Sequence, residues 1–307
     1  MKKHAHQAFI PAHITAFFVP VFHKEPLEAG SLGAGVNLSK GTNVFASIET
    51  GTLERHIHAA FNGEPVKREE AEITYYVAEK LVPKDFLGEV EVWQYFDFPP
   101  NGYGFGNSAG GALGTALALS YAFGGTWLKA AQLAHEAEVK HKGGLGDVIG
   151  QLAGGIEVRI KPGGPGIGVT DNLFFEDYKV LVVPPLGRLS TREVLDGGDV
   201  VKAIEVEGRK ALEELLKEPK PERMMVLARN FAEKTGLLSG ELSEIARELD
   251  KVLKNPSSMI MLGKGGLFAL VRDEEAEKAK QLLSDMSLPY DIAEIYTERP
   301  KVGRWVG

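Results

Sequence analysis

Apolar positions along this chain change period several times, and each change marks an element. Ala8 to Phe22 is almost wholly apolar but contains Pro11 and Pro20, so it reads as edge-strand material around a turn. Glu28 to Gly35 (EAGSLGAG) reads as a glycine-rich loop. Gly35 to Leu38 and Asn43 to Glu49 read as strands, Thr50-Gly51-Thr52 as a turn, and Leu53 to Ala60 as a strand returning from it. Lys67 to Leu81 has helical spacing, with Ile73, Tyr76, Val77, Ala78 and Leu81 on the buried side and Pro83 past its end. Glu89 to Phe98 reads as a strand with Val90, Val92 and Tyr95 set against polar neighbours.

Pro99 to Leu119 (PPNGYGFGNSAGGALGTALAL) stops that strand and opens a helix of Ala, Leu and Gly near Ser108. Gly102, Gly104 and Gly106 let the backbone take positive φ and admit a close neighbour. The first amides of the helix have no partner inside it, and with the helix dipole they suit an anion. The stretch is therefore a candidate phosphate cradle. Gly124-Gly125 ends the helix, Thr126 caps the next one, Trp127 to Lys142, and Gly143-Gly144 closes that one as a glycine cap. Asp147 opens a short turn, Gly155 to Lys161 is a strand, and Pro162 to Gly168 is the best candidate linker.

Beyond it Tyr178 to Val183 is a strand, followed by helices at about Asp199 to Leu216, Pro221 to Lys234 and Gly240 to Lys254. Strands Ser258 to Leu262 and Leu267 to Val271 flank Gly263-Lys264-Gly265-Gly266, and a helix, Glu274 to Asp285, leads to a last strand, Tyr290 to Tyr296. The order β, helices, β, β, α, β is the split βαβ of a ferredoxin-like domain with helices added in its first crossover. An α+β protein of two domains, 1-170 and 171-307, is expected.

Composition narrows the chemistry. The 307 residues suffice for two ordinary domains, and 44% hydrophobic with 25% charged residues is a globular balance. A net charge of −7 argues against a nucleic-acid partner. The absence of cysteine excludes disulfides, thiolate metal sites and a thiol nucleophile, and it fits a reducing cytoplasm. Ile14 to Phe22 is too short to span a bilayer, and no long apolar run before Pro11 suggests a signal peptide. His56-x-His58 lacks a third ligand for zinc.

Gly104-Phe105-Gly106-Asn107-Ser108-Ala109 fits the dinucleotide pattern G-x-G-x-x-G/A, but the ribose-binding acid about 20 residues on is missing. Walker A and protein-kinase signatures are absent. The fuller match is P-x-x-x-G-[LF]-G-x-S-[AS], on Pro100, Gly104, Phe105, Gly106, Ser108 and Ala109. It resembles the second motif of the GHMP kinases, whose usual loop reads G-L-G-S-S; Phe105 and Asn107 are the departures. Gly263 to Gly266 resembles their third motif. The family's first motif is replaced by Pro11-Ala12-His13-Ile14-Thr15-Ala16. That segment, with Gly30 to Gly35, Ser108 to Leu113 and Gly144 to Val148, resembles the pantoate kinases of archaeal coenzyme A synthesis within that family.

The resemblance implies a GHMP kinase-like fold, an N-terminal domain like domain 2 of ribosomal protein S5 followed by the ferredoxin-like one. It implies ATP and Mg²⁺ as cofactors, phosphorylation of the 4-hydroxyl of pantoate, and a homodimer. Gly104, Phe105, Gly106, Asn107, Ser108, Ala109 and Gly110 would bind ATP, with Ser108 and Glu138 holding the metal. Asp147 would be the catalytic acid, although the family's Ser is missing before it. Arg159 is expected to clamp the acceptor carboxylate with its guanidinium fork. Ser31, Gly33 and His13 are candidate substrate contacts because the chain leaves the wider family there, and His135 stands one helical turn before Glu138. Each has a plainer reading: Ser108 as a helix cap, Glu138 as an exposed partner of Lys142, and Arg159 as a solvent-facing partner of Glu157. Kinases of homoserine- or mevalonate-like acceptors, a nicotinamide oxidoreductase and an RNA-binding module are the competing functions.

Overall fold

The computed structural model describes residues 3–99, 103–184, 187–188, 198–260, 263–264 and 266–306. Pro100, Gly102, Leu262 and Gly265 of the motifs and strands above lie outside them. Two long strands, β1 (Lys3–Val21) and β2 (Gly30–Thr50), run antiparallel along most of their length and form the spine of an eight-stranded sheet. β1 is one strand, not two around a turn. Pro11 sits at a register shift, just past the short stretch where β14 (Lys301–Arg304) pairs the other edge, so its missing N–H removes no ladder bond there. Gly30 to Gly35 is likewise strand rather than loop, because its glycines are used for close approach. A Cβ on Gly33 would overlap the Phe17 carbonyl, and one on Gly35 would overlap the His13 ring.

The strand β3 (Arg55–Phe61) runs back antiparallel to β2 but does not pair it, because β5 (Gly88–Phe96) lies between them, parallel to β3 and antiparallel to β2. β4 (Glu64–Val66) pairs the outer side of β3. The helix α1 (Glu72–Leu81) connects these strands; it buries Tyr75 with Val77 and Ala78, while Tyr76 is half-buried. On β5 the inward set is Val90, Val92 and Gln94, and Tyr95 is exposed. Gln94 is tolerated inside because its amide donates to Thr74, Thr115 and the Gly111 carbonyl.

The helix α2 (Asn107–Phe123) lies on the sheet and is buried nearly all round. Thr126 caps α3 (Trp127–Lys140), accepting from the Lys129 amide at 3.3 Å. At the far end the left-handed residue is Lys142 (φ 56°), not a glycine, and the Gly143 amide bonds back to the Glu138 carbonyl at 2.8 Å. The helix α4 (Asp147–Ala153) follows, then β6 (Ile156–Lys161), which pairs β2, and β7 (Val169–Leu173), which pairs β6. Pro162 to Gly168 is thus a hairpin connection, not a linker, and Gly163, Gly164 and Pro165 are buried. Residue 171 falls inside β7.

The second sheet contains β8 (Lys179–Val183), β10 (Ser258–Met259), β12 (Leu267–Val271) and β13 (Asp291–Glu294) in the order β10-β12-β8-β13, all antiparallel. That is the ferredoxin-like order. A small ladder joins β9 (Gly187–Arg188) to β11 (Gly263–Lys264). Helices α5 (Gly198–Lys217), α6 (Pro221–Lys234) and α7 (Gly240–Asp250) fill the first crossover, and α8 (Asp273–Asp285) the second. One apolar core runs through both sheets: Phe231 of α6 packs on Phe17 and Phe18 of β1 at centroid distances of 6.4 and 5.9 Å. No helix among the described residues is long and apolar enough to cross a membrane.

The seating of α2 can be tested at Gly114. A Cβ there would overlap a Val44 methyl on β2 and lie 3.3 Å from Ile10 on β1. Gly114→Val should cost about 1–3 kcal/mol of stability through overpacking. A denaturant midpoint equal to the parent's would show that the helix does not press on the sheet.

Candidate active site

The loop before α2 carries Gly104 (φ 79°) and Gly106 (φ 65°) in the left-handed region, and Gly106 is the residue at which the helix starts. Ser108 therefore lies inside the first turn and is no cap. Its hydroxyl donates instead to Glu138 Oε1 at 2.6 Å. Gly104, Gly106 and Ser108 reach the surface, while Phe105, Asn107, Ala109 and Gly110 are buried beneath. Phe105 stacks on Phe98 at 4.2 Å, and its carbonyl accepts from the His13 amide at 2.9 Å. Asn107 donates to the Pro99 carbonyl at 2.7 Å, and Gly110 leaves room for Thr42. Gln151 of α4, not anticipated, ties the Gly106 and Pro11 carbonyls together at 2.9 and 3.1 Å. Nothing in the residue pattern of that short helix marks it.

Glu138 is buried on the inner face of α3, whereas Glu136 pairs with Lys140 and Tyr76 at the surface. Burial pushes the Glu138 carboxyl up to about 8; the Ser108 hydrogen bond opposes this and the nearby charge of Asp147 adds to it. Two glycines border the space between the acids. A Cβ on Gly143 would lie 2.5 Å from Glu138 Oε2, and one on Gly144 would lie 2.7 Å from Asp147 Oδ2 and 3.3 Å from Glu138 Oε2. A hydroxyl and a carboxylate of raised basicity are hard oxygen donors suited to Mg²⁺. Among the described residues no group of three or more His, Cys, Asp or Glu could hold a metal alone. Such a pair fits an ion that completes its shell with phosphate oxygens and water.

Asp147 begins α4, and its Oδ1 is bonded to His13 Nδ1 at 2.9 Å. Burial would raise its carboxyl, but His13 and the charge of Arg159 outweigh this and hold it below the ordinary range. Beyond His13 the chain continues to Glu157 Oε1 at 3.0 Å, and Arg159 Nη1 bonds the same oxygen. Glu157 and Arg159 do share a face of β6, but it is the buried one. Arg159 Nε is buried without a partner. A Cβ on Gly146 would lie 3.1 Å from that nitrogen and overlap the Ser31 hydroxyl, and one on Gly33 would lie 3.1 Å from Arg159 Nη2. Ser31, Gly33, His13, Asp147 and Arg159 are thus brought together. His135 is not. Its Nε2 faces the Ala29 and Pro26 carbonyls at 3.0 and 3.2 Å, so it fixes the segment leading to Ser31. Burial lowers its basicity against those two carbonyls, leaving a neutral donor.

α3 follows α2 directly, so the βαβ return of a dinucleotide site is missing. The model of the GHMP kinases N terminal domain matches residues 72–155. The pantoate kinase of Thermococcus kodakarensis is 96% identical over 301 residues, 98% of this chain and 99% of that protein. A solved structure described as a phosphotransferase related to the CoA biosynthesis pathway is 94% identical, with a TM-score of 0.95 over 99% of this chain and 100% of the other. Homoserine kinase from Cytophaga hutchinsonii shares the fold at 16% identity, with a TM-score of 0.70 over 99% and 98% of the two chains. By the extent and level of these matches, the chain belongs to the pantoate kinase family of the GHMP kinases.

Proposed function

We propose that this chain transfers the γ-phosphoryl group of ATP to the 4-hydroxyl of pantoate, giving 4-phosphopantoate. The carrying observation is the buried Arg159 with an unpartnered Nε–H, set against the residue that precedes a carboxylate–imidazole pair. A small hydroxy acid needs a cation for one end and a base for the other. Arg159, with Ser31 beside it, binds the acceptor carboxylate, and the missing side chains of Gly33 and Gly146 let the Phe17 carbonyl and the Ser31 hydroxyl come close to the guanidinium. Asp147 accepts a hydrogen bond from the acceptor hydroxyl and takes its proton late, because a carboxylate of lowered basicity cannot ionise an alcohol beforehand. The triphosphate lies along the amides at the mouth of α2. Ser108 and Glu138 would hold Mg²⁺, which when bound neutralises charge on the phosphates.

A coupled assay of ADP release tests the activity. Turnover with pantoate is expected; none with pantoate but turnover of homoserine or mevalonate would reassign the acceptor. Asp147→Asn should lower kcat by about 10²-fold or more while ATP affinity stays nearly constant. Unchanged kcat would remove Asp147 from the chemistry. Arg159→Lys keeps a charge for Glu157 but loses the fork, so KM for pantoate should rise roughly ten-fold or more. If the KM for ATP rose instead, the clamp would be assigned wrongly.

The raised basicity of Glu138 gives a further test. At pH 7, below about 8, its carboxyl is protonated in the free protein, and a cation requires the ionised form. Binding of Mg²⁺–ATP at pH 7 should therefore release about one proton, measured by calorimetry in buffers of different ionisation enthalpy. Glu138→Gln should abolish that release. Equal heats in all buffers for the parent protein would contradict the assignment.

A further inference from the structure

Glu157 has no part in the roles above, yet it is wholly buried and placed between two groups that do. One oxygen, Oε1, meets His13 Nε2 at 3.0 Å and Arg159 Nη1 on its other side. His13 reaches Asp147 through its other nitrogen at 2.9 Å. Nδ1 faces the Asp147 carboxylate and Nε2 the Glu157 carboxylate, with Arg159 Nη1 a longer 3.4 Å from the same Nε2; two carboxylates at 2.9 and 3.0 Å against that one cation favour hydrogen on both ring nitrogens, an imidazolium. Asp147 and Glu157 then balance His13 and Arg159, two charges of each sign in one row of which only Asp147 reaches the surface. A neutral ring would leave one negative charge uncompensated there, which burial disfavours.

Of the groups packed on the ring, Arg159 alone opposes the added charge, and Glu157 stands between the two. β6 brings Glu157 and Arg159, and α4 brings Asp147 and Gly150. β2 brings Gly35 and, opposite His13 in register, Asn37; the loop before α2 brings Gly106. No further charged side chain among the described residues bonds it. Space for the ring has been made from two sides. A Cβ on Gly35 would overlap His13 Nε2, and one on Gly150 would lie 2.7 Å from it.

We propose that Glu157 is a positioning residue for phosphoryl transfer: through His13 it aims the Asp147 carboxylate, and through Nη1 it fixes the plane of the Arg159 guanidinium. The base and the clamp are thereby set as one unit against the two ends of the acceptor. This rests on the acceptor reading above. Rigid placement of reacting groups is worth much, since displacement by about 1 Å can cost 10²-fold in rate.

The test combines kinetics with histidine ¹⁵N NMR. Glu157→Gln keeps the volume and removes the charge. It should lower kcat about ten-fold or more and raise the KM for pantoate by a similar factor, with the KM for ATP unchanged. The alkaline limb of its kcat/KM profile should move to lower pH, because His13 gives up its proton more readily. Parent values of kcat, KM and pH profile, with only a lower melting temperature, would reduce Glu157 to a structural residue. In the parent protein the His13 ring should keep both nitrogens protonated above the pH at which an ordinary histidine loses its proton, because Asp147 and Glu157 bond it. A neutral ring at pH 7 would overturn the proposal, even if Glu157→Gln does not fold. The NMR measurement uses no acceptor, so it stays decisive even if pantoate fails as a substrate. Turnover of pantoate beside a neutral His13 would sink the relay alone.

Discussion

A hydroxyl in the first turn of one helix bonds to a carboxylate buried in the next, and the arrangement of the site depends on that contact. Ser108 and Glu138 can meet only if α2 and α3 form a tight antiparallel pair, with Gly124 ending one and Thr126 starting the other. Burial makes the carboxylate reluctant to ionise, and the serine hydroxyl offsets only part of that. The strain is electrostatic rather than steric. It leaves a group that gains from a cation, beside helix amides that gain from an anion. A metal–nucleotide pair, as proposed above, would answer both needs at once.

The acceptor side solves the opposite problem. There the charges are already matched, and what must be provided is space. Gly33, Gly35, Gly146 and Gly150 each stand where a Cβ would press on Ser31, His13, Glu157, Arg159 or the backbone of β1. Burying an ion-pair row adds little stability, because desolvation offsets most of the attraction. As a device for orientation it is well suited, since His13 and Glu157 each bridge two neighbours and neither can turn without leaving another group unpaired.

Much of this was legible in the sequence, for physical reasons. Thr126 and the glycines around α2 are local signals whose geometry is set within a few residues. The order of strands and helices after Tyr178 led to the ferredoxin-like sheet because that topology follows from order alone. Ser108, Glu138, Asp147 and Arg159 all stand out in the sequence, and the structure gathers them into one region. What escaped were matters of pairing. Pro11 suggested a break in β1, but a proline is harmless where the neighbouring strand has already ended. Gly30 to Gly35 looked like loop because glycine signals both turns and close approach, and only the partner strand distinguishes them. The spacing of Glu157 and Arg159 put them on one face of β6, but a period of two does not say which face is inside. Helical spacing sets His135 one turn before Glu138 but does not say that its ring meets the Pro26 and Ala29 carbonyls.

The way β1 is used explains why these two halves of the site stay in register. The strand carries His13 between the acids while Phe17 and Phe18, a few residues on, are fixed against Phe231 of the second sheet's helices. The preceding residues of the same strand, Ile10 among them, lie under α2. One continuous strand thus touches α2, the charged row around His13 and the helices of the second sheet. A turn at Pro11 would have separated the first of these from the other two. With the strand unbroken, any shift of the second layer must move His13, and with it Asp147, relative to the mouth of α2. The length of β1, rather than any single contact, keeps the mouth of α2 and the charged row around His13 at a fixed separation.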